Sequence, residues 1–149
     1  MEAVIFVGIQ AAGKSSFYKE RFFSTHLRIN LDMLKTRHRE AVLLRACIDL
    51  QQPFVVDNTN PTAEERARYI VPAKAAGFRV IGYYFQSRVP DCLARNDRRG
   101  PRERVPDKAI GGTASRLQLP SLAEGFDALH YVRIDESGGF RVEEWADEV

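Results

Sequence analysis

Long apolar runs are missing from this sequence. No stretch approaches the roughly 20 apolar residues that cross a bilayer, so no membrane segment is expected. Cysteine is scarce. Only Cys47 and Cys92 are present, and neither has a second Cys or a His at metal-ligand spacing. That excludes a disulfide scaffold and a structural zinc site, and predicts two reduced thiols. Internal repeats and low-complexity blocks are also absent. A basic n-region and cleavage site are lacking before the first apolar segment, Ala3 to Val7. The expectation is a cytoplasmic protein.

What is there fits one domain over residues 1–149, with 44% hydrophobic residues for a single core. Net charge is only +2, but it is unevenly spread. The stretch 88–116 holds eight basic residues (Arg88, Arg95, Arg98, Arg99, Arg102, Arg104, Lys108, Arg116) against four acids, so the rest is slightly acidic, notably over 135–149. Such a segment suits either a local phosphate-binding surface or a solvated arginine-rich helix.

Short apolar runs alternate with amphipathic ones. Strands are expected at Ala3 to Val7, His26 to Asn30, Phe54 to Asp57, Arg79 to Phe85 and, last, Leu129 to Ile134. Helices are expected at Lys14 to Phe23 and at Asp32 to Leu50, with Leu34, Ala41, Leu44 and Ile48 along one face. Another runs from Thr62 to Ala76, with Ala63, Ala67, Ile70, Val71 and Ala75 inward. Pro61 suits its first turn, Gly77 its stop, and Pro72 a kink or boundary. Further helices are expected at Asp91 to Arg99, broken by Gly100-Pro101, and at Asp107 to Leu117. This alternation predicts an α/β protein: a parallel sheet with right-handed crossovers, helices on both faces, and ligands beyond the carboxyl ends of the strands.

Those ends carry the chemistry. Gly8-Ile9-Gln10-Ala11-Ala12-Gly13-Lys14-Ser15 matches G-x-x-x-x-G-K-[ST] between a strand and a helix, a P-loop. Gly13 lets backbone amides approach phosphate; Lys14 reaches the β- and γ-phosphates, and the Ser15 hydroxyl suits Mg2+. The cofactors implied are ATP and Mg2+. Asp57, ending the strand F-V-V-D, has the placement of a Walker-B-type metal carboxylate, or of a turn-forming or capping Asp. Asp32 follows the second strand, where it either accepts a proton from an attacking hydroxyl or caps the next helix. Arg95, Arg98 and Arg99 precede Gly100-Pro101, so residues 95–106 read as an arginine-bearing lid or as a surface helix.

Taken together, several segments resemble the kinase domain of polynucleotide 5′-hydroxyl kinases, in the P-loop kinase superfamily. They are the P-loop, Asn30-x-Asp32, Asp57-Asn58-Thr59-Asn60-Pro61, Arg66-Ala67-Arg68-Tyr69, Arg95-Asn96-x-x-Arg99 and Leu119-Pro120-Ser121-Leu122-Ala123-Glu124-Gly125-Phe126. The likeness spans about Val4 to Ile134. It implies transfer of the ATP γ-phosphate to the 5′-OH end of DNA or RNA. Asp32 would be the general base, with Lys14 and Arg99 completing the catalytic set. Gly8, Gln10 to Ser16, Arg95, Arg98 and Arg99 would hold the nucleotide, and Ser15 and Asp57 the metal. Arg39, Thr59 and Arg68 would hold the acceptor beside Asp32 and Lys35.

Two departures stand out. Gln10-Ala11-Ala12 replaces the usual Pro-Gly-Ala or Pro-Gly-Ser. Leu31 stands where relatives often carry Arg, removing a phosphate contact that Lys35 or Arg37 could supply instead. No phosphatase signature is present. Alternatives are a P-loop kinase for a small molecule or nucleotide, and a non-catalytic nucleotide-binding protein. His26, His38 and His130 are read as surface or packing residues. Phe22-Phe23 and Tyr83-Tyr84-Phe85 are read as core, Phe140 and Trp145 as anchors, and Ser16 as a helical residue.

Overall fold

The computed structural model describes residues 1–146, and the end of the acidic tail, 147–149, lies outside the described residues. Six strands form one sheet in the order β2-β3-β1-β4-β5-β6: β1 (Glu2–Val7), β2 (Leu27–Ile29), β3 (Phe54–Val56), β4 (Arg79–Phe85), β5 (Ala128–Ile134) and β6 (Phe140–Glu144). The first five are mutually parallel, and β6 runs antiparallel to β5.

The apolar run of β1 is explained by burial on both faces. Ala3, Ile5 and Val7 enter one core with Phe54, Val56, Tyr69 and Ile70. Val4 and Phe6 enter the other with Phe17, Val55, Phe85 and Ile110. Phe6 sits in an aromatic cluster, its ring centroid 4.9 Å from Phe85 and 5.9 Å from Phe17, and this fastens α1 (Lys14–Arg21) to the sheet.

The structure departs from the sequence expectation in four segments. The expected Asp32 to Leu50 helix is two, α2 (Leu31–Leu34) and α3 (Arg37–Leu50). Lys35 takes a left-handed φ of 75° between them, and Thr36 caps α3 by accepting the Arg39 amide. The restart shifts the helix phase, so Glu40, Leu44 and Cys47 face inward while Ala41 is exposed. In α4 (Ala63–Ala75), Val71 and Ala75 are exposed, and Arg66, Tyr69, Ile70 and Ala73 are buried instead. A buried arginine with partners is invisible to a hydrophobic pattern. Pro72 lies within the last turn of α4 without ending it, and Pro61 precedes the cap Thr62 rather than entering the helix.

The other two departures are at chain segments read as core or as final. Phe22 is buried, but Phe23 is 72% exposed just past the end of α1. The strand β6 was not expected at all. Phe140 is half-buried, but the Arg-Val-Glu-Glu that follows is exposed, the pattern of a charged edge strand. Elsewhere α5 (Val89–Asp97) and α6 (Asp107–Arg116) flank the Gly100-Pro101 break as expected, and Trp145 packs edge-on against Tyr84. Among the described residues no helix is long and apolar enough to cross a membrane.

Candidate functional site

The carboxyl ends of β1, β2, β3 and β4 bring the P-loop, the Asn30–Asp32 turn, Asp57 and Ser87 to one edge of the sheet. The loop between β1 and α1 needs unusual backbone. Gly13 has φ 102° and Ala11 has φ 64°, so Ala11 holds a left-handed conformation that costs a non-glycine residue about 1 kcal/mol or more. A Cβ on Gly13 would lie 3.0 Å from the Phe140 ring and 3.1 Å from Ile134, so the β5–β6 hairpin forms the floor of the loop. The first turn of α1 carries no acid, leaving its N-terminal amides favourable for an anion.

The loop is held from three sides. The Ile9 amide donates to Ser87 Oγ at 3.1 Å, Gln10 Nε2 donates to Thr113 Oγ1 at 3.0 Å, and Arg95 Nη1 donates to the Ala11 carbonyl at 2.7 Å. The Gly8 amide donates to the Thr59 carbonyl at 3.0 Å, joining the loop to the D-N-T-N segment. Ala12 is buried and Ser16 exposed beside them.

Lys14 is buried, and its Nζ donates to the carbonyls of Gly8 and Ile9 at 2.9 and 2.7 Å. Burial pushes its pKa down from 10.5 to about 8; Asp57, Cys92 and Asp32 act against that shift, and Arg99 adds to it. Lys14 therefore lies in the combined field of Asp57, Asp32 and Arg99.

Ser15 Oγ donates to Asp57 Oδ2 at 2.9 Å, an oxygen pair of the kind Mg2+ takes alongside substrate phosphates. A residue that sequence reasoning missed completes this cluster: Arg28 of β2 reaches Asp57 Oδ2 at 2.9 Å and Ser15 Oγ at 3.0 Å. Asp57 itself is 2% exposed. No motif signals Arg28, because its partners are on other elements.

Asp32 is the second residue of α2 and is exposed. The capping alternative is overturned: Asn30 is the cap, its Oδ1 accepting the Met33 amide at 2.9 Å. Around it, Arg39 Nη1 donates to the Leu34 carbonyl at 3.3 Å, at the end of α2. Lys35 and Arg68 are exposed, and Thr59 is half-buried.

The segment from Arg95 to Pro106 is folded by Asn96, which is fully buried. Its Nδ2 donates to the Val105 carbonyl at 2.7 Å and its Oδ1 accepts the Val105 amide at 3.0 Å. Of the three expected lid arginines, Arg95 lies on the P-loop. Arg99 Nη1 contacts the Glu103 carbonyl of its own segment at 3.2 Å, and Arg98 is exposed. Beyond the carboxyl ends of β4 and β5 a cavity of about 550 Å³ opens, lined by Gln86, Arg88, Asp91, Arg133, Asp135 and Arg141.

The motif residues that gave the resemblance also carry structure. Arg66, fully buried, donates to Glu124 at 2.7 and 3.0 Å and to the Asn60 carbonyl at 2.9 Å. Asn60 Nδ2 in turn donates to the Phe6 carbonyl at 2.8 Å. R-A-R-Y, A-E-G-F and D-N-T-N-P are thus one hydrogen-bonded unit.

Known proteins resemble this chain in sequence or in fold. A curated relative, the bifunctional polynucleotide phosphatase/kinase of Schizosaccharomyces pombe (strain 972 / ATCC 24843), is 29% identical over 131 residues, covering 84% of this chain and 32% of the relative. The chain thus spans about a third of that protein's length. Kti12 of Chaetomium thermophilum, solved with ADP-AlF3, superposes with a TM-score of 0.67 at 16% identity, covering 91% of this chain and 92% of that one. A gluconokinase from Sinorhizobium meliloti 1021 superposes with a TM-score of 0.63 at 15% identity, covering 91% and 83%. These two show the fold, that of an α/β P-loop NTPase. The family model described as an AAA domain matches residues 28–120, and the chain belongs to that family.

Proposed function

We propose that this AAA-domain chain is an ATP-dependent kinase that phosphorylates the 5′-hydroxyl end of a nucleic acid. The observation that carries the reading is the exposed Asp32 carboxylate, free of any capping role, standing just past the carboxyl end of β2, as the P-loop with its buried Lys14 stands past that of β1. The 29% identity to the S. pombe polynucleotide phosphatase/kinase supports nucleic acid as the acceptor class.

In the proposed reaction the 5′-oxygen attacks the γ-phosphorus in line. A new O–P bond forms, the bond to the β-phosphate oxygen breaks, ADP leaves with its electrons, and Asp32 takes the hydroxyl proton. Lys14 and Arg99 offset charge on the phosphates, with Arg95 and Arg98 beside them. Ser15 and Asp57 are the oxygen donors suited to Mg2+, which when bound supplies positive charge at the phosphates. Arg39, Arg68, Lys35 and Thr59 are assigned to the acceptor strand, so binding should weaken as salt rises.

The test is end-labelling. With γ-labelled ATP, 5′-OH oligonucleotides of DNA or RNA should become labelled. Asp32→Asn should lower transfer by roughly 10²- to 10⁴-fold while ATP binding persists. Absence of label on every chain length and both sugars would move the acceptor to a small molecule. Transfer indifferent to Asp32 would sink the general-base role.

A further inference from the structure

Glu40, on α3, is 1% exposed. Its Oε1 accepts Arg37 Nη1 at 2.8 Å and the Tyr69 hydroxyl at 2.9 Å, and its Oε2 accepts Asn58 Nδ2 at 2.9 Å. An ionised carboxylate can only accept. Asn58 must therefore turn its amide nitrogen toward Glu40, which leaves the amide oxygen pointing the other way. There it accepts the backbone amide of Leu31 at 2.9 Å. Leu31 opens α2, where amides have no partner within the helix, and the next residue is Asp32.

The far side of Asp32 is held as well. Asn30 Oδ1 accepts the Met33 amide at 2.9 Å, and Asn30 Nδ2 donates to the Asp57 carbonyl at 2.6 Å. The backbone on both sides of Asp32 is fixed while its own carboxylate stays exposed. Of these anchors, the Leu31 contact is correct in polarity only because the group behind Asn58 is a pure acceptor.

We propose that Glu40 is a positioning residue: its charge sets the direction of the Asn58 amide, and that direction fixes the turn that carries Asp32. Glu40 touches neither donor nor acceptor. The proposal rests on the reading of Asp32 as the general base. It gives Asn58 and Tyr69, motif residues with no assigned chemistry, a common task.

The polarity argument yields a swap experiment. In Glu40→Gln the side-chain oxygen can keep Arg37 and Tyr69, but an NH2 group then faces the Asn58 NH2. Either two donors collide, or Asn58 rotates and presents NH2 to the Leu31 amide. Loss of one well-placed hydrogen bond at this turn should lower kcat roughly 10- to 100-fold, with ATP affinity unchanged and faster hydrogen exchange at the Leu31 amide. Adding Asn58→Asp to Glu40→Gln restores the order of donors and acceptors at the same net charge. The double variant should recover most of the lost kcat and the slow Leu31 exchange.

Should Glu40→Gln fail to fold, Asn58→Ala removes the same contact from the other end and should give the same kcat loss. Unchanged kcat and unchanged Leu31 exchange in a folded Glu40→Gln would overturn the proposal, as would a folded double variant no better than the single one. Leu31 exchange is read without substrate. Wild-type protein that labels no 5′-OH end therefore defeats the acceptor reading, while the exchange data still decide on Glu40.

Discussion

Lys14 shows at the residue scale how burial tunes a charge. Its amine is pushed down to about 8 by desolvation. Bound phosphates favour the ammonium and raise that value again. Between pH 8 and the higher value in the complex, ATP binding must take up a proton. Affinity then falls as pH rises above about 8, whereas below about 7 the amine is already charged and binding moves no proton. Calorimetry at pH 8.5, in buffers of differing ionisation heat, should register uptake of up to about three-quarters of a proton, and Lys14→Met should abolish it. Zero uptake by the wild type would place this amine at the ordinary lysine value. Lys14, Ser15 and Asp57 were legible because each ends or follows a recognisable strand. Arg28 was not: it bonds residues 13 and 29 positions away, and nothing near it in sequence marks that partnership.

Elements were legible where they bury a face and obscure where they do not. The parallel strands announced themselves as apolar runs, whereas β6 presents an exposed, charged pattern and was missed. The break between α2 and α3 depends on Thr36, whose capping bond a continuous helical pattern conceals. Two substitutions test element packing. At Gly82 in β4, a Cβ would sit 2.6 Å from Leu129 and 2.7 Å from Phe126. Gly82→Ala should therefore cost about 1–3 kcal/mol by overpacking, read as a lower denaturation midpoint. Gln51, exposed at the end of α3, has φ 55°. Gln51→Gly removes that left-handed strain and should stabilise the protein by about 0.5–1 kcal/mol. A destabilised Gln51→Gly would show that its side chain contributes more than the backbone strain costs.

Over the whole molecule, the pair Arg66–Glu124 joins segments 58 residues apart. Sequence resemblance flagged both residues, but only the fold reveals that each exists for the other. Removing one partner strands a buried charge. Arg66→Ala should cost about 3–5 kcal/mol, while Arg66→Met combined with Glu124→Leu should approach the parent, as buried ion pairs often do when replaced by apolar groups. Equal losses in the single and double variants would mean that the Asn60 carbonyl, not Glu124, is the essential partner. The parallel sheet with helices on both faces followed from the alternation of strands and helices; its strand order and the ties that lock the motifs together did not, since each tie spans a large sequence separation.

The contact of Phe140 with Gly13, and its ring 5.1 Å from that of Phe17, bears on how the protein can be shortened. Hydrophobic patterning alone marks Ile134 as a natural stopping point. A chain cut there would keep every motif residue named above, yet its nucleotide cradle would lose the aromatic wedge beneath it. Such a fragment should bind ATP poorly for want of a foundation, even with every residue proposed for catalysis intact.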